Sequence, residues 1–256
     1  MTESTMRYAS IRTCGLFYTT RMFDSLGRIK AQRKELRSFV LFFGFIALLL
    51  YILSPARNTD FNLSKGECAE LNMLWQSKYQ NDFQFDETWS FELFECETAK
   101  AKLAHAIFLI DRMTVEPEKF DFYDWMKRVN PIFSQRLMFG YSGISYFEAH
   151  QVDINIDKLR TSNPVEIAGV LIHETRHLEQ GYNSHIPCSV DEKRQCDLRL
   201  EADLLTGGAY SYDTAFYDQL IKDTKSTRSV KYAASKLLQS NLDTKFNEPV
   251  ANNRFK

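Results

Sequence analysis

The sequence predicts a mostly helical α+β fold with a small sheet, carried behind one apolar membrane-crossing segment, and three observations support that expectation. Residues 38–56 carry no charge, residues 163–181 hold the start and stop signals of a helix, and residues 144–157 contain the apolar/polar alternation of a strand. The 256 residues are 44% hydrophobic and 25% charged, the balance of a globular chain rather than a disordered or collagenous one.

The N-terminal elements set the topology. Residues 1–37 form a basic leader with eight Lys/Arg against three acids. Residues 38–56 follow as the predicted anchor, and 57–256 form the main domain. As a helix, the anchor would span about 28 Å at roughly 1.5 Å per residue, close to the hydrocarbon thickness of a bilayer. Arg28, Lys30, Arg33, Lys34 and Arg37 precede it, and only Arg57 follows closely. The positive-inside rule then puts the N-terminus in the cytoplasm and the main domain in the periplasm or outside the cell. A cleaved signal peptide is the open alternative, with Ser54 and Ala56 near the cleavage point, and it exports the domain equally. The basic charge is confined to the leader, so nothing argues for nucleic acid.

Export agrees with cysteine usage. Cys14 falls in the leader, whereas Cys68, Cys96, Cys188 and Cys196 fall in the domain. Four thiols in an oxidising compartment predict two disulfides, and of the three possible pairings the sequence-local one is favoured: Cys68 with Cys96 and Cys188 with Cys196.

Within the domain, Phe91, Phe94, Leu103, Ala106, Ile107 and Ile110 recur at spacings of three and four and predict an amphipathic helix over 90–112. His105 on it has no ligand spacing and reads as a packing or surface histidine. The aromatic run from Phe83 through Trp89 to Phe122, Tyr123 and Trp125 reads as core. Val152, Ile154 and Ile156 alternate with Asp153, Asn155 and Asp157, which predicts a strand with one solvated face carrying the acids and His150. Such an edge could receive an extended peptide. The stretch from Asn241 to Lys256 reads as a polar, poorly tied end.

The most informative stretch is NPVEIAGVLIHETRHLEQG. Asn163 can cap, Pro164 suits the first helical position, Glu166 stands three after the cap, and Gly181 suits the stop. On this helix His173 and His177 are one turn apart and share a face, while Ile167, Leu171 and Leu178 form a separate stripe for the core. Two neutral imidazoles at i and i+4 can hold one Zn²⁺, and Glu174, directly after the first, can act as general base toward an activated water.

His173, Glu174 and His177 resemble the HExxH zinc metallopeptidases, the zincin group, over about 40 residues from Asn163 to Asp203. The resemblance implies a zincin-like domain with its small sheet packed on the motif helix, a zinc cofactor, and a peptide or protein substrate. Many members of the group have uncharged residues between and just after the histidines, whereas this chain has Arg176 and Glu179. The metzincin pattern fails, because the positions that need Gly and His are Gln180 and Asn183. The segment from Asp197 to Asp203 looks more like the gluzincin arrangement, which would make Glu201 the third ligand, with Asp197 and Asp203 orienting the histidines. His185 and Asp197 are the rival third ligands. Tyr210, Tyr212 and His150 are candidates to stabilise an oxyanion.

The expectation is therefore a membrane-anchored zinc metallopeptidase with Glu174 as catalytic base and His173, His177 and Glu201 as metal ligands. Its alternative is a non-catalytic, zinc-stabilised binding module on the same scaffold.

Overall fold

A computed structural model describes residues 61–248 except 90–93, 97, 114–119, 183, 190, 192–193 and 202–203. The chain divides into two units, 1–57 and 58–256, and the described residues belong to the second. The leader and the predicted anchor at 38–56 lie outside the described residues. Among the described residues no helix is long and apolar enough to cross a membrane.

The domain is α+β and mostly helical, as expected. Helix α1 (Lys65–Leu74) starts at a capping box, in which Ser64 accepts from the Glu67 amide and Glu67 accepts from the Ser64 amide. It continues through a π-helical segment (Trp75–Tyr79) that buries Trp75 and Tyr79 completely. After strand β1 (Gln84–Phe85) the chain forms α2 (Ala99–Asp111), capped by Thr98, and α3 (Phe122–Val129), capped by Asp121. The helix expected over 90–112 therefore begins nine residues later. Cys96 precedes it, bonded to Cys68, and Phe94 is pinned by Asn72, which accepts from its amide and donates to its carbonyl. Phe83, Trp89, Phe122, Tyr123 and Trp125 are buried, as expected of a core.

Strands β2 (Ile132–Arg136), β3 (Gly143–Tyr146) and β4 (Gln151–Asn155) complete a four-stranded sheet in the order β1-β2-β4-β3. Strands β1, β2 and β4 are parallel, and β3 runs antiparallel along the edge with Gly143 opposite Ile154 and Tyr146 opposite Gln151. The single strand expected over 144–157 is thus two strands and a turn. The chain leaves the sheet at Asn155, which caps helix α4 (Ile156–Thr161). The expectation of a solvated acidic face is corrected as well. Asp153 is fully buried, ion-paired with Arg136 at 2.9 Å and hydrogen-bonded to Ser134, and Asn155 donates to the carbonyls of Met138 and Tyr141. A central strand has neighbours on both sides, which alternation alone does not reveal.

Helix α5 (Pro164–His177) starts at Asn163 as read, and Ile167, Leu171 and Leu178 are buried. It ends at His177, short of Gly181, because the next amides bond three residues back: Leu178 to Thr175 and Glu179 to Arg176. Gly181 takes the left-handed conformation, φ 90°, in the turn that follows. Beyond it come the short hairpin β5 (Ile186–Pro187) and β6 (Gln195–Cys196), a 3₁₀ turn (Leu204–Thr206), α6 (Ala209–Lys222) and α7 (Arg228–Thr244). Helix α5 packs against α2, α6, α7 and β3, so the motif helix runs through the middle of the domain with the sheet edge beside it.

The stretch from Asn241 onward is tied down rather than loose. Asn241 is buried in α7 and donates to Asp213 and Thr214, and Lys245 and Asn247 bond through the main chain to Asp197. Residues 249–256 lie outside the described residues.

Candidate metal centre

Three imidazoles converge beside the C-terminal half of α5. His173 and His177 arrive from the helix, one turn apart, and His185 arrives from the segment leading into β5. Their Nε2 atoms face one another, at 2.9 Å from His173 to His185 and 2.9 Å from His177 to His185. This group could hold a metal ion. Nitrogens about 2.0 Å from a tetrahedral zinc ion would stand about 3.3 Å apart, so the spacing suits an ion of that size.

A polar atom stands behind each ring, and for His177 and His185 it fixes the tautomer. His185 Nδ1 donates to Asp197 Oδ1 at 3.1 Å, His173 Nδ1 lies 3.4 Å from Asp213 Oδ2, and His177 Nδ1 donates to the Tyr182 carbonyl. With the protons of His177 and His185 held at Nδ1, their Nε2 lone pairs are left to face the centre, as metal-binding histidines require. Burial pushes His173 and His177 down to about 3, so both rings are neutral, and it raises the Asp213 carboxyl well above the usual range. The His173–Asp213 approach is then not an ion pair between charged groups.

Asp197 ties the centre to the rest of the fold. One of its oxygens receives His185, and the other receives the amides of Tyr210 at 2.9 Å and Ser211 at 3.2 Å. It therefore caps α6, whose own N-cap, Gly208, has no side chain to do so. The Cys188–Cys196 disulfide closes the hairpin between His185 and Asp197, and the Cys68–Cys96 pair forms as expected.

Glu174 stands next to the imidazoles beneath strand β3. Burial raises its carboxyl to about 7, against hydrogen bonds from the Ser145 side chain and backbone. Gly143 makes this packing possible. A Cβ there would fall 2.8 Å from Glu174 Cγ and 2.9 Å from Val170 Cγ1, so only a residue without a side chain lets the strand lie against the helix.

A cleft of about 460 Å³ opens over these groups. Gly143 and Ser145 of β3 form one wall, and Tyr210, Asp213, Asn241 and Lys245 form another. The Tyr210 ring stacks on His185 with centroids 4.5 Å apart and lies 4.5 Å from His173.

The remaining sequence candidates fall elsewhere. Glu201 lies outside the three-histidine group, and its carboxylate pairs with Arg199 at 2.8 Å. Asp203 lies outside the described residues. Tyr212 is buried against Trp125 and the Arg176 guanidinium, and His150 sits in the turn before β4, against the Val129 carbonyl. His105 is remote from the group and neutral, burial holding it down to about 4.

Arg176, the charge between the motif histidines, points away from the centre. It is 3% exposed, donates to the carbonyls of Leu204, Leu205 and Gly207 and to Glu179, and lies between the rings of Tyr182 and Tyr212. It fastens the loop before α6 to the motif helix. Asp213 and Lys245 were missed by sequence reading. Asp213 had a detectable signal, since it follows Tyr210 by one helical turn, whereas Lys245 had none. Comparisons with protein-family models, with curated proteins and with solved structures find no match.

Proposed function

We propose that the protein is a zinc-dependent metallopeptidase of the zincin kind, with His173, His177 and His185 as metal ligands and Glu174 as general base. The observation that carries this reading is the convergence of three imidazoles beside a buried carboxylate in an open cleft. Three histidines together with a water are a donor set of catalytic zinc, and in this reading His185 takes the place first given to Glu201.

Zinc held there would polarise a substrate carbonyl and make a water molecule more acidic. The chain supplies the rest. Glu174 takes a proton from the attacking water and delivers it to the departing amine as the C–N bond breaks and a C–O bond forms. Tyr210, packed on two of the ligand rings, is placed to donate toward the developing oxyanion. Strand β3 is an edge strand beside Glu174, and an extended peptide could lie against it by main-chain pairing. A membrane anchor at 38–56 and an exported domain fit the two disulfides, which belong to oxidising compartments.

Glu174→Gln is the test, read by zinc content and peptide cleavage together. The amide keeps the shape and loses the base, so zinc should stay bound while cleavage falls by roughly 10² to 10⁴. Cleavage at the unaltered rate would sink the mechanism. Zinc retention with no cleavage by either form would replace it with a binding module.

A further inference from the structure

Lys245 is an unusual residue to find in the cleft wall. It follows α7 directly, is half-buried, and desolvation holds its ammonium below the ordinary lysine range. Among the described residues its hydrogen-bond partner is the Tyr210 hydroxyl, at 3.1 Å, with the ammonium 4.6 Å from that ring. No carboxylate among the described residues pairs with it: Asp213, the acid that acts on it electrostatically, accepts from Asn241 at 2.9 Å and lies 3.4 Å from His173. Lysines drawn out of water are ordinarily paired, and a cation left with a phenol as its partner in a ligand-sized cleft has donors to spare.

The position is also fixed. The Lys245 carbonyl accepts from the Asp197 amide, so the backbone that carries the ammonium is joined to the residue that orients His185. Its ammonium lies 4.6 Å from the Tyr210 ring, whose centroid is 4.5 Å from the rings of His173 and His185. A group bound to Lys245 would therefore lie within a few residues, at roughly 3.3 Å each, of a carbonyl bound at the imidazoles. Because the Tyr210 oxygen accepts from Lys245, its own proton stays available to the cleft.

We propose that Lys245 is a specificity-determining residue that binds a substrate carboxylate, so that the preferred peptides carry an anionic group within a few residues of the bond to be cleaved. The carboxylate could be a free C-terminus, which makes the protein a carboxypeptidase, or an acidic side chain. This inference rests on the peptidase reading for its biological sense, but its test reads binding and does not require turnover.

The test uses the full chain carrying Glu174→Gln, so that peptides survive, and calorimetric titration with three probes. These are N-acetyl-Ala-Ala-Ala with a free C-terminus, the same peptide as its C-terminal amide, and N-acetyl-Ala-Glu-Ala amide. One of the two anionic probes should bind roughly tenfold to a hundredfold more tightly than the neutral amide, as expected for a hydrogen-bonded charge pair. Which probe it is identifies the source of the carboxylate. Adding Lys245→Met should abolish the preference, whereas Lys245→Arg should keep most of it. Equal binding of all three probes, no binding of any, or a preference that survives Lys245→Met would overturn the proposal. The acid-to-amide comparison needs no change at Lys245, so it stands even if the Met variant folds poorly. Failure of the peptidase reading would appear separately, as absent zinc or absent cleavage in protein that retains Glu174.

Discussion

Two parts of the chain bring imidazoles to the same point by opposite means. Helix α5 presents His173 and His177 through its own periodicity: with Asn163 capping and the apolar stripe buried, the two rings share a face. The segment that carries His185 has two two-residue strands and no periodicity of its own. It is held by a disulfide, by Asp197 and by main-chain bonds to residues 245–248. The helix places its imidazoles by local geometry, and the segment depends on clamps drawn from distant sequence. Damage to the two should therefore look different: intrinsic at α5, and transmitted at His185.

The largest expected effect comes from the ligands themselves. His185→Ala should lose zinc as completely as His177→Ala, because each removes one of three bonds, whereas Glu201→Ala should keep zinc affinity within about threefold. Metal analysis and chelator competition on the purified chain decide it. Zinc lost from the Glu201 variant and retained by the His185 variant would reverse the comparison.

A smaller effect should follow from the clamp. Asp197→Ala leaves every ligand in place but removes the acceptor behind His185 and the cap of α6. Zinc affinity should fall by roughly 10 to 100-fold, the usual cost of losing such a partner. An unchanged chelator titration would mean that the segment holds its ring without help.

The two disulfides sharpen the comparison further. Replacing Cys188 and Cys196 by Ser reopens a loop of separation 8, worth about 2.5 kcal/mol of unfolded-state restriction, and should loosen zinc several-fold as well. Replacing Cys68 and Cys96 should lower the melting temperature at least as much, since that loop is longer, yet leave zinc affinity where it was. Equal loss of zinc in both double variants would show that the hairpin has no special link to the centre.

The same contrast explains what could be read from the sequence. The cap at Asn163, the core stripe, the i and i+4 histidines and the local disulfides are short-range features, and they were legible. His185 was visible only as a rival ligand, because nothing within a few residues says that Asp197 will hold it or that α6 will hold Asp197. Strand β4 was found, but Asp153 was misread as solvated because its partners, Arg136 and Ser134, lie on β2. Asn241 and Lys245 looked like part of a loose tail for the same reason: what binds them lies in α6 and at Asp197, far away in sequence.

Arg176 gives the motif a dependence that its five letters hide. In place, the guanidinium is satisfied by three backbone carbonyls, a carboxylate and two aromatic faces. Grafted with its histidines onto another helix, it would bring a buried cation without that reception, at a cost of several kcal/mol. His-Glu-Thr-Arg-His is therefore not a portable cassette. To transplant the chemistry, a designer would have to carry the loop at 204–207 along with the helix, or replace Arg176 with an uncharged residue and rebuild what it fastened.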